Sequence, residues 1–280
     1  MQEDHIVDER GDCYWYKDGK LHRDEDLPAV ISSEGTRIWY KDGKRHREGD
    51  LPAVMWPSGS KEWYKSGQRH RECDRPACIY TNGNQYWFYN GKLHREEDRP
   101  AISLANGTQY WYTDGKHHRD GDLPAYMDIA GRQDWYIQGQ KHREGDLPAV
   151  ILANGTQEWY SHGKRHREGD LPSIVLSTGC KYWYKDGKQH RDGDKPALDS
   201  KNGCQCWYSE GKLHREGDLP AVVISGNDGQ KKKWFKFGNL HRDGDMPAVI
   251  YANGVQEWYT NGKLRDTNSL VEREVVFYDN

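Results

Sequence analysis

The sequence predicts an all-β fold, an elongated single-layer antiparallel β-meander of about ten 24-residue hairpin repeats. Three observations predict it. Tryptophan recurs every 24 residues from Trp15 to Trp207 and, after one interval of 27 residues, again at Trp234 and Trp258. Each interval contains two turn signals that end in glycine. No stretch of the chain shows the 3.6-residue apolar period of an amphipathic helix.

The first 14 residues are interpreted as an N-terminal cap, residues 15–257 as ten tandem repeats, and residues 258–280 as a degenerate repeat and C-terminal cap. The eleventh unit begins at Trp258 and keeps Gly262 but lacks the histidine of the other units. A capping unit is expected to be atypical because one of its sides faces solvent. One repeat is three residues longer near residues 226–233.

Within a repeat, an Asn-Gly pair such as Asn154-Gly155 joins a Pro-Ala-Val-Ile segment to a Thr-Gln-Glu-Trp-Tyr segment. Both turn residues are expected at positive φ, as in a two-residue hairpin loop. A second turn, Lys-Asp-Gly-Lys in several copies, leads to a His-Arg segment and the next proline. Two main strands per repeat, each about 4.8 Å wide, predict a ribbon on the order of 95–100 Å long. The alternative is a β-solenoid with one 24-residue coil per repeat.

The composition suits a thin repeated layer. Only 34% of the 280 residues are hydrophobic, against roughly 45–50% in ordinary domains. A disordered chain would combine high net charge with few aromatic residues, whereas this chain has a net charge of −3, 12 Trp and 18 Tyr. One large buried ring per repeat needs few aliphatic residues beside it.

Two columns of the repeat are predicted to be buried, the tryptophan itself and the apolar residue 15 positions after it. Arginine and aspartate are expected to flank a tight turn in which aspartate caps backbone N–H groups and proline fixes φ. The histidine is expected to donate to a neighbouring carbonyl. These structural columns include Trp39, Trp63, Trp111, Trp135, Trp159, His46, His70, His118, His142, His166, Arg47, Asp50 and Pro52.

The repeated histidines and aspartates do not indicate catalysis or metal binding. Equivalent histidines in successive hairpins would lie roughly 9.5 Å apart, whereas two ligands of one zinc ion each lie about 2.0–2.1 Å from it. An active site is needed once, and ten equal copies without a nucleophile column do not build one. The six cysteines show no CxxC spacing, so reduced thiols are expected. The chain is therefore predicted to be non-enzymatic, without metal or cofactor.

The unit Trp39-Tyr-Lys-Asp-Gly-Lys-Arg-His-Arg-Glu-Gly-Asp-Leu-Pro-Ala-Val-Met-Trp-Pro-Ser-Gly-Ser-Lys-Glu62 resembles a MORN repeat in its aromatic residue, first glycine, basic residue with histidine, and late turn glycine. It also resembles the MORN-related units of bacterial antitoxin-like repeat proteins and the His-Arg/Pro-Ala variants of large DNA viruses. The resemblance covers essentially residues 11–263 and departs after the histidine, where the family has Gly-x-Gly. It implies a curved antiparallel β ribbon used for protein–protein contact, self-association and scaffolding, without catalytic residues.

The predicted function is a β-repeat scaffold for protein–protein interaction or self-assembly, with a protein partner or a homo-oligomer. The alternatives are a binder of a linear polymer, glycan or nucleic acid, through the aromatic columns, and an antitoxin-like or viral inhibitor. The net charge of −3 disfavours nucleic acid. Positions that differ between repeats are the candidate partner-binding residues, namely Trp56, Tyr80, Leu104, Lys231, Lys232 and Lys233.

The sequence shows no apolar run long enough to span a bilayer and no secretory leader pattern at its N-terminus. A soluble, cytoplasmic protein is therefore expected. The viral resemblance implies virion association as an alternative location.

Overall fold

A computed structural model of the chain describes residues 4–268. This range consists of β-strands, turns and connecting segments without any helix, so none of it could cross a membrane as a helix. The predicted all-β class is confirmed. The chain divides into two compact units, of which the first ends at Lys141 and the second begins at His142.

The first unit contains a central antiparallel meander in which each strand pairs with the next one in chain order. Its strands are Asp4–Val7, Cys13–Lys17, Val30–Ile31, Arg37–Ile38, Val54–Met55, Lys61–Glu62, Cys78–Ile79, Gln85–Tyr86, Ile102–Ser103, Gln109–Tyr110, Tyr126–Met127 and Gln133–Asp134. Each repeat thus contributes two strands, as predicted.

The second unit contains a meander of the same kind. Its strands are Val150–Ile151, Gln157–Glu158, Ile174–Val175, Lys181–Tyr182, Leu198–Asp199, Cys204–Cys206, Val222–Gly226, Gly229–Lys233, Val249–Ile250, Gln256–Thr260 and Lys263–Asn268. The predicted capping segment 271–278 lies outside the described residues.

Every complete repeat adds a second short hairpin, here called the flanking hairpin, just after its tryptophan. In the first repeat, Lys20–Leu21 pairs with the end of Cys13–Lys17. The others are Tyr40–Lys41 with Lys44–Arg45, Tyr64–Lys65 with Gln68–Arg69, Phe88–Tyr89 with Lys92–Leu93, Tyr112–Thr113 with Lys116–His117, Tyr136–Ile137 with Gln140–Lys141, Tyr160–Ser161 with Lys164–Arg165, Tyr184–Lys185 with Lys188–Gln189, Tyr208–Ser209 with Lys212–Leu213, and Phe235–Lys236 with Asn239–Leu240.

The strand pairing decides between the two predicted architectures. Val54 pairs with Glu62, and Glu62 pairs in turn with Cys78 of the next repeat, both antiparallel. A solenoid would instead stack equivalent strands in parallel, so the solenoid alternative is wrong. The longer repeat keeps the same order and extends its hairpin to five residue pairs, from Val222↔Lys233 to Gly226↔Gly229.

The prediction of two positive φ values at the Asn-Gly turn is wrong, and the two turns of a repeat differ in geometry. At Asn154-Gly155 only the glycine has a positive φ, of 83°. Leu152 and Thr156 are hydrogen-bonded around a three-residue loop, the geometry of a type I turn followed by a left-handed residue. The two consecutive positive φ values occur in the flanking hairpin, at Asp186 (49°) and Gly187 (85°), which form a two-residue loop.

The buried interior consists of three columns. The tryptophans from Trp39 to Trp234 are 5–7% exposed. The alanine after each proline is fully buried in nine repeats, and Ser173 takes its place in another. The predicted apolar column is buried at Val30, Val54, Cys78, Ile102, Val150, Ile174, Val222 and Val249 and half-buried at Tyr126 and Leu198. One large ring and two small side chains per repeat therefore form the core.

Candidate functional site: the outer turns

The turn between the histidine and the proline of each repeat, for example residues 166–172, is here called the outer turn. In this turn the Arg167 guanidinium lies 3.8 Å from the centroid of the Trp159 ring. Its Nε and Nη2 donate to the Asp146 carboxylate of the preceding repeat at 2.7 and 2.9 Å. Trp159 Nε1 donates to the Asp146 carbonyl at 3.1 Å. We call this Trp–Arg–Asp arrangement the clasp, because it joins two successive repeats.

The clasp recurs in both units. It is formed by Trp39, Arg47 and Asp26; Trp63, Arg71 and Asp50; Trp87, Arg95 and Asp74; Trp111, Arg119 and Asp98; Trp183, Arg191 and Asp170; and Trp234, Arg242 and Asp218. The prediction that these aspartates cap backbone N–H groups is wrong. A charged, bidentate guanidinium binds a carboxylate more strongly than a neutral amide does.

The backbone of the aspartate contributes to the clasp. Gly145 and Asp146 have φ values of 72° and 54°, so two consecutive residues are left-handed. Asp194 does not share this positive φ, and the buried Nε1 of Trp207 has no hydrogen-bond partner in the part of the chain that the structure describes. The Arg215–Asp194 ion pair is nevertheless present. The left-handed conformation therefore accompanies the short indole–carbonyl bonds, since Asp245, which also lacks a positive φ, accepts from Trp258 Nε1 only at 3.5 Å.

The histidine links the outer turn to the next flanking hairpin. His166 Nδ1 accepts the backbone N–H of Asp186 at 3.2 Å, and its Nε2 lies 2.9 Å from Glu168 Oε1. Because a backbone N–H can only donate, Nδ1 is unprotonated and Nε2–H donates to the glutamate. The predicted donation to a carbonyl is wrong for this residue. The Nδ1 bond recurs at His22, His46, His70, His94, His142, His190 and His241, whereas the buried Nδ1 of His118 has no partner within residues 4–268.

The clasp changes the titration of its carboxylates. Hydrogen bonds from the arginines lower the pKa of Asp26, Asp50, Asp74, Asp98, Asp146, Asp194 and Asp218 below the ordinary range. At Asp170, Arg191 and then Lys195 lower the pKa to about 2. Lys195 occupies a position that is leucine in most repeats, and its Nζ lies 2.8 Å from Asp170 Oδ2. These carboxylates are thus held in the charged form.

A row of exposed apolar side chains lies along the outer turns and was not predicted from the sequence. The residue between the aspartate and the proline of the outer turn is 41–45% exposed wherever it is apolar, at Leu27, Leu51, Leu123, Leu147, Leu171, Leu219 and Met246. Beside it, successive outer turns enclose a shallow cavity, of about 160 Å³ between residues 166 and 192, lined by Leu171, Trp183 and Lys185 among others. An apolar residue repeated inside a polar turn was the available sequence signal.

Exposed carboxylates accompany this row. Glu144 and Glu168 are 82% and 93% exposed, and each accepts a hydrogen bond from the histidine of its own repeat. In other repeats a lysine of the flanking hairpin neutralises the equivalent acid, as Lys185 does for Asp192 at 3.0 Å. Ile137 and Ser161 occupy that lysine position in the repeats of Glu144 and Glu168. These two repeats therefore present a negative charge next to an exposed leucine.

The predicted partner-binding residues lie elsewhere. Trp56, Tyr80 and Leu104 are half-buried, and the Tyr80 hydroxyl donates to Glu62 at 2.9 Å. Lys231, Lys232 and Lys233 lie in the strand Gly229–Lys233 and are also half-buried. The Lys231 ammonium lies 3.8 Å from the centre of the Tyr251 ring.

A polar cluster on the central sheet was also not predicted from the sequence. Glu62 is 3% exposed and accepts hydrogen bonds from Tyr64, at 2.7 Å, and from Arg69. The sequence contains a signal for this cluster. In three repeats an acidic residue directly precedes the tryptophan, and a basic residue lies six positions after the tryptophan. The pairs are Glu62 with Arg69, Asp134 with Lys141, and Glu158 with Arg165. A buried carboxylate requires such partners.

Among residues 4–268, no three histidine, cysteine, aspartate or glutamate side chains are grouped so as to hold a metal ion. Neither protein-family models nor the curated proteins include a match to this chain. The resemblance to MORN repeats therefore remains a prediction, and the clasp and the outer turns are the features from which a function is inferred.

Proposed function

We propose that the chain is a non-enzymatic β-repeat scaffold that binds a protein partner along its outer turns. The exposed leucine row carries the proposal, because apolar side chains that recur on one surface mark interaction sites. The invariant tryptophan, arginine and aspartate columns are occupied by contacts within the fold, as at Trp159, Arg167 and Asp146. The leucines and their neighbouring carboxylates are repeated groups that face solvent.

The burial of the tryptophans supports this proposal over a platform for a linear polymer. Stacking of bases or sugars needs an accessible ring face. Trp159 is 6% exposed, its indole N–H is bonded to Asp146, and the Arg167 guanidinium covers one face of the ring. Acrylamide quenching is therefore expected to be weak for these rings.

The test compares proteins captured from an extract of the native source by three forms of the full-length chain. The double variant Leu147→Ser/Leu171→Ser removes two exposed side chains of the row and is expected to lose a partner that the unmodified chain retains. Ile129→Ser removes a 78% exposed side chain outside the row and serves as the matched control. Capture that is the same for all three forms would overturn the proposal.

Self-assembly is measured separately by sedimentation velocity over a concentration series. If the outer turns bind a second copy of the chain, Leu147→Ser/Leu171→Ser shifts the oligomer to monomer and Ile129→Ser does not. That result would identify the partner as a homo-oligomer. An oligomer that survives the double variant would place self-association away from the row.

A further inference from the structure

We propose that the outer turns of the second unit bind a basic peptide in polyproline II conformation, with lysine or arginine at its first, fourth and tenth residues. The inference rests on the proposed function and specifies its partner. The outer-turn surface comprises Glu144, Leu147, Glu168, Leu171, Glu216 and Leu219. It offers one carboxylate and one leucine in each of three repeats.

The charge of this surface selects a basic ligand. Glu144, Glu168 and Glu216 are 82–93% exposed. Each accepts a hydrogen bond from its histidine through Oε1, at 2.9 Å, which holds that oxygen in place. A lysine or arginine of a partner forms an ion pair with such a carboxylate, and its aliphatic stem covers the adjacent leucine.

The spacing of the repeats selects the conformation of the ligand. Each repeat adds two strands to the central sheet and so advances about 9.6 Å. A polyproline II helix has three residues per turn and a rise of about 3.1 Å, so every third side chain faces the same way at about 9.3 Å. Across three repeats this mismatch stays below about 1 Å.

Other regular conformations match less well. A β-strand places side chains of one face about 6.6 or 13 Å apart, and neither distance equals the repeat. Every seventh residue of an α-helix lies about 10.5 Å further along its axis, so the mismatch is about 0.9 Å per repeat and accumulates. A polyproline II segment also enters the complex already extended and loses little conformational entropy.

One repeat interrupts the outer-turn surface, and its position fixes where the basic residues of the peptide must lie. At the repeat between Leu171 and Leu219, the Lys185 ammonium lies 3.0 Å from Asp192, and Lys195 replaces the leucine. This repeat therefore offers a basic ligand neither an exposed uncompensated acid at that position nor a leucine. The expected ligand has basic residues at its first, fourth and tenth positions and a neutral residue at its seventh.

The test uses labelled synthetic peptides and the full-length chain, with binding measured by fluorescence anisotropy at low salt. The first peptide is Lys-Pro-Pro-Lys-Pro-Pro-Ala-Pro-Pro-Lys. Two other peptides have the same composition, but their lysines lie at every second residue in one and at every fourth residue in the other. Binding of the first is expected to be about fivefold to tenfold tighter, since misspacing loses one or two surface ion pairs. Equal binding of all three peptides would overturn the proposal.

Variants locate the site. Glu144→Gln/Glu168→Gln keeps the hydrogen-bond acceptors for the histidines and removes the charges, and is expected to weaken binding about fivefold to twentyfold. Lys185→Ala/Asp192→Asn is the matched control, because it removes an ion pair whose net charge is zero, and is expected to change binding less than twofold. Binding that is insensitive to the double variant would also overturn the proposal.

The outcomes separate this inference from the proposed function. If capture of a partner depends on Leu147 and Leu171 while the three peptides bind alike, the ligand assignment is wrong and the scaffold proposal stands. If capture does not depend on the two leucines, the scaffold proposal itself is wrong.

Discussion

At the scale of single residues, each repeat depends on the geometry of one guanidinium. Arg167 stacks on Trp159, binds both carboxylate oxygens of Asp146 and donates through Nη1 to the Pro172 carbonyl at 3.3 Å. A planar fork of five donors can make these contacts at once, whereas an ammonium group cannot. The column is therefore arginine for reasons of shape as well as charge.

Arg167→Lys is expected to lower the free energy of unfolding by about 1–2 kcal/mol, because it removes the ring contact and one of the two hydrogen bonds to Asp146. Urea denaturation followed by tryptophan fluorescence measures the change. Lys181→Ala replaces an exposed base on the central sheet and is expected to change stability by less than about 0.5 kcal/mol. A loss no larger than that of the control would contradict the role assigned to the clasp.

Substitutions at two equivalent positions of the outer turn are expected to change the free energy of unfolding in opposite directions. Cys73 is exposed and has a φ of 59° where most repeats have glycine. This conformation costs an L-residue about 1–2 kcal/mol, and glycine avoids that cost. Glycine also makes the unfolded chain more flexible, which offsets part of the stabilisation. Cys73→Gly is therefore expected to stabilise the chain by about 0.5–1 kcal/mol. The measurement is again urea denaturation.

The matching variant is Gly169→Ala, at the same position of another repeat. Gly169 has a φ of 73°, and a Cβ there would contact nothing within 4 Å, so only backbone strain is introduced. It is expected to destabilise the chain by about 1 kcal/mol. If both variants shifted stability in the same direction, φ would not be the controlling variable.

At the scale of elements, the hairpin tips and the outer turns differ in what they connect. The hairpin formed by Val222–Gly226 and Gly229–Lys233 is three residues longer than its equivalents, yet the next indole still donates to the preceding aspartate, at 3.0 Å from Trp234 Nε1 to Asp218 O. An outer turn places aspartate, arginine and histidine against two neighbouring repeats. A hairpin on the sheet can therefore change length without loss of the indole bond, whereas a change of length in an outer turn is expected to break the clasp.

Insertion of Ser-Gly-Asn between Thr178 and Gly179, at a hairpin tip, is expected to cost less than about 1 kcal/mol, because lengthening a surface loop has a small entropic cost. The same insertion between Glu168 and Gly169 is expected to cost more than about 2 kcal/mol, because it displaces Asp170 from Arg191 and from the Trp183 indole. Thermal unfolding followed by circular dichroism compares the two. Equal losses would refute the distinction.

At the scale of the molecule, stability is a sum over contacts between neighbouring repeats. Each clasp uses a carboxylate of one repeat and an arginine of the next, as Asp218 and Arg242 do. Many carboxyl groups therefore lie in equivalent ion pairs with arginine, and one property of the solution affects all of them. That variable is pH.

The stability of the chain is expected to fall in acid. Arginine lowers the folded-state pKa of the clasp carboxyls, to about 2 at Asp170, below the ordinary value of 3.8. A lowered folded pKa stabilises the chain above the unfolded pKa, and this stabilisation is lost as pH falls through the folded pKa. Urea midpoints should decline from about pH 4 to 2. A midpoint unchanged over that range would contradict the account, and Asp146→Asn is expected to reduce the decline.

The sequence alone determined the 24-residue period, the all-β class and the two strands per repeat, because tryptophan spacing and glycine turns are local properties of the chain. It also indicated the buried columns at Trp159 and Val150. The prediction of two positive φ values at Asn154-Gly155 was wrong, because they occur at Asp186-Gly187. Both residue pairs are compatible with a two-residue hairpin turn, and the length of the loop decides which of them adopts it.

Only the tertiary structure decided which groups meet. Asp146 binds Arg167, 21 residues along the chain, and not its neighbours in the same turn. That pairing exists only once two repeats lie side by side, so no local pattern contains it. The exposure of Leu171 was decided in the same way, because a side chain next to proline is buried or free according to what the neighbouring repeat places over it.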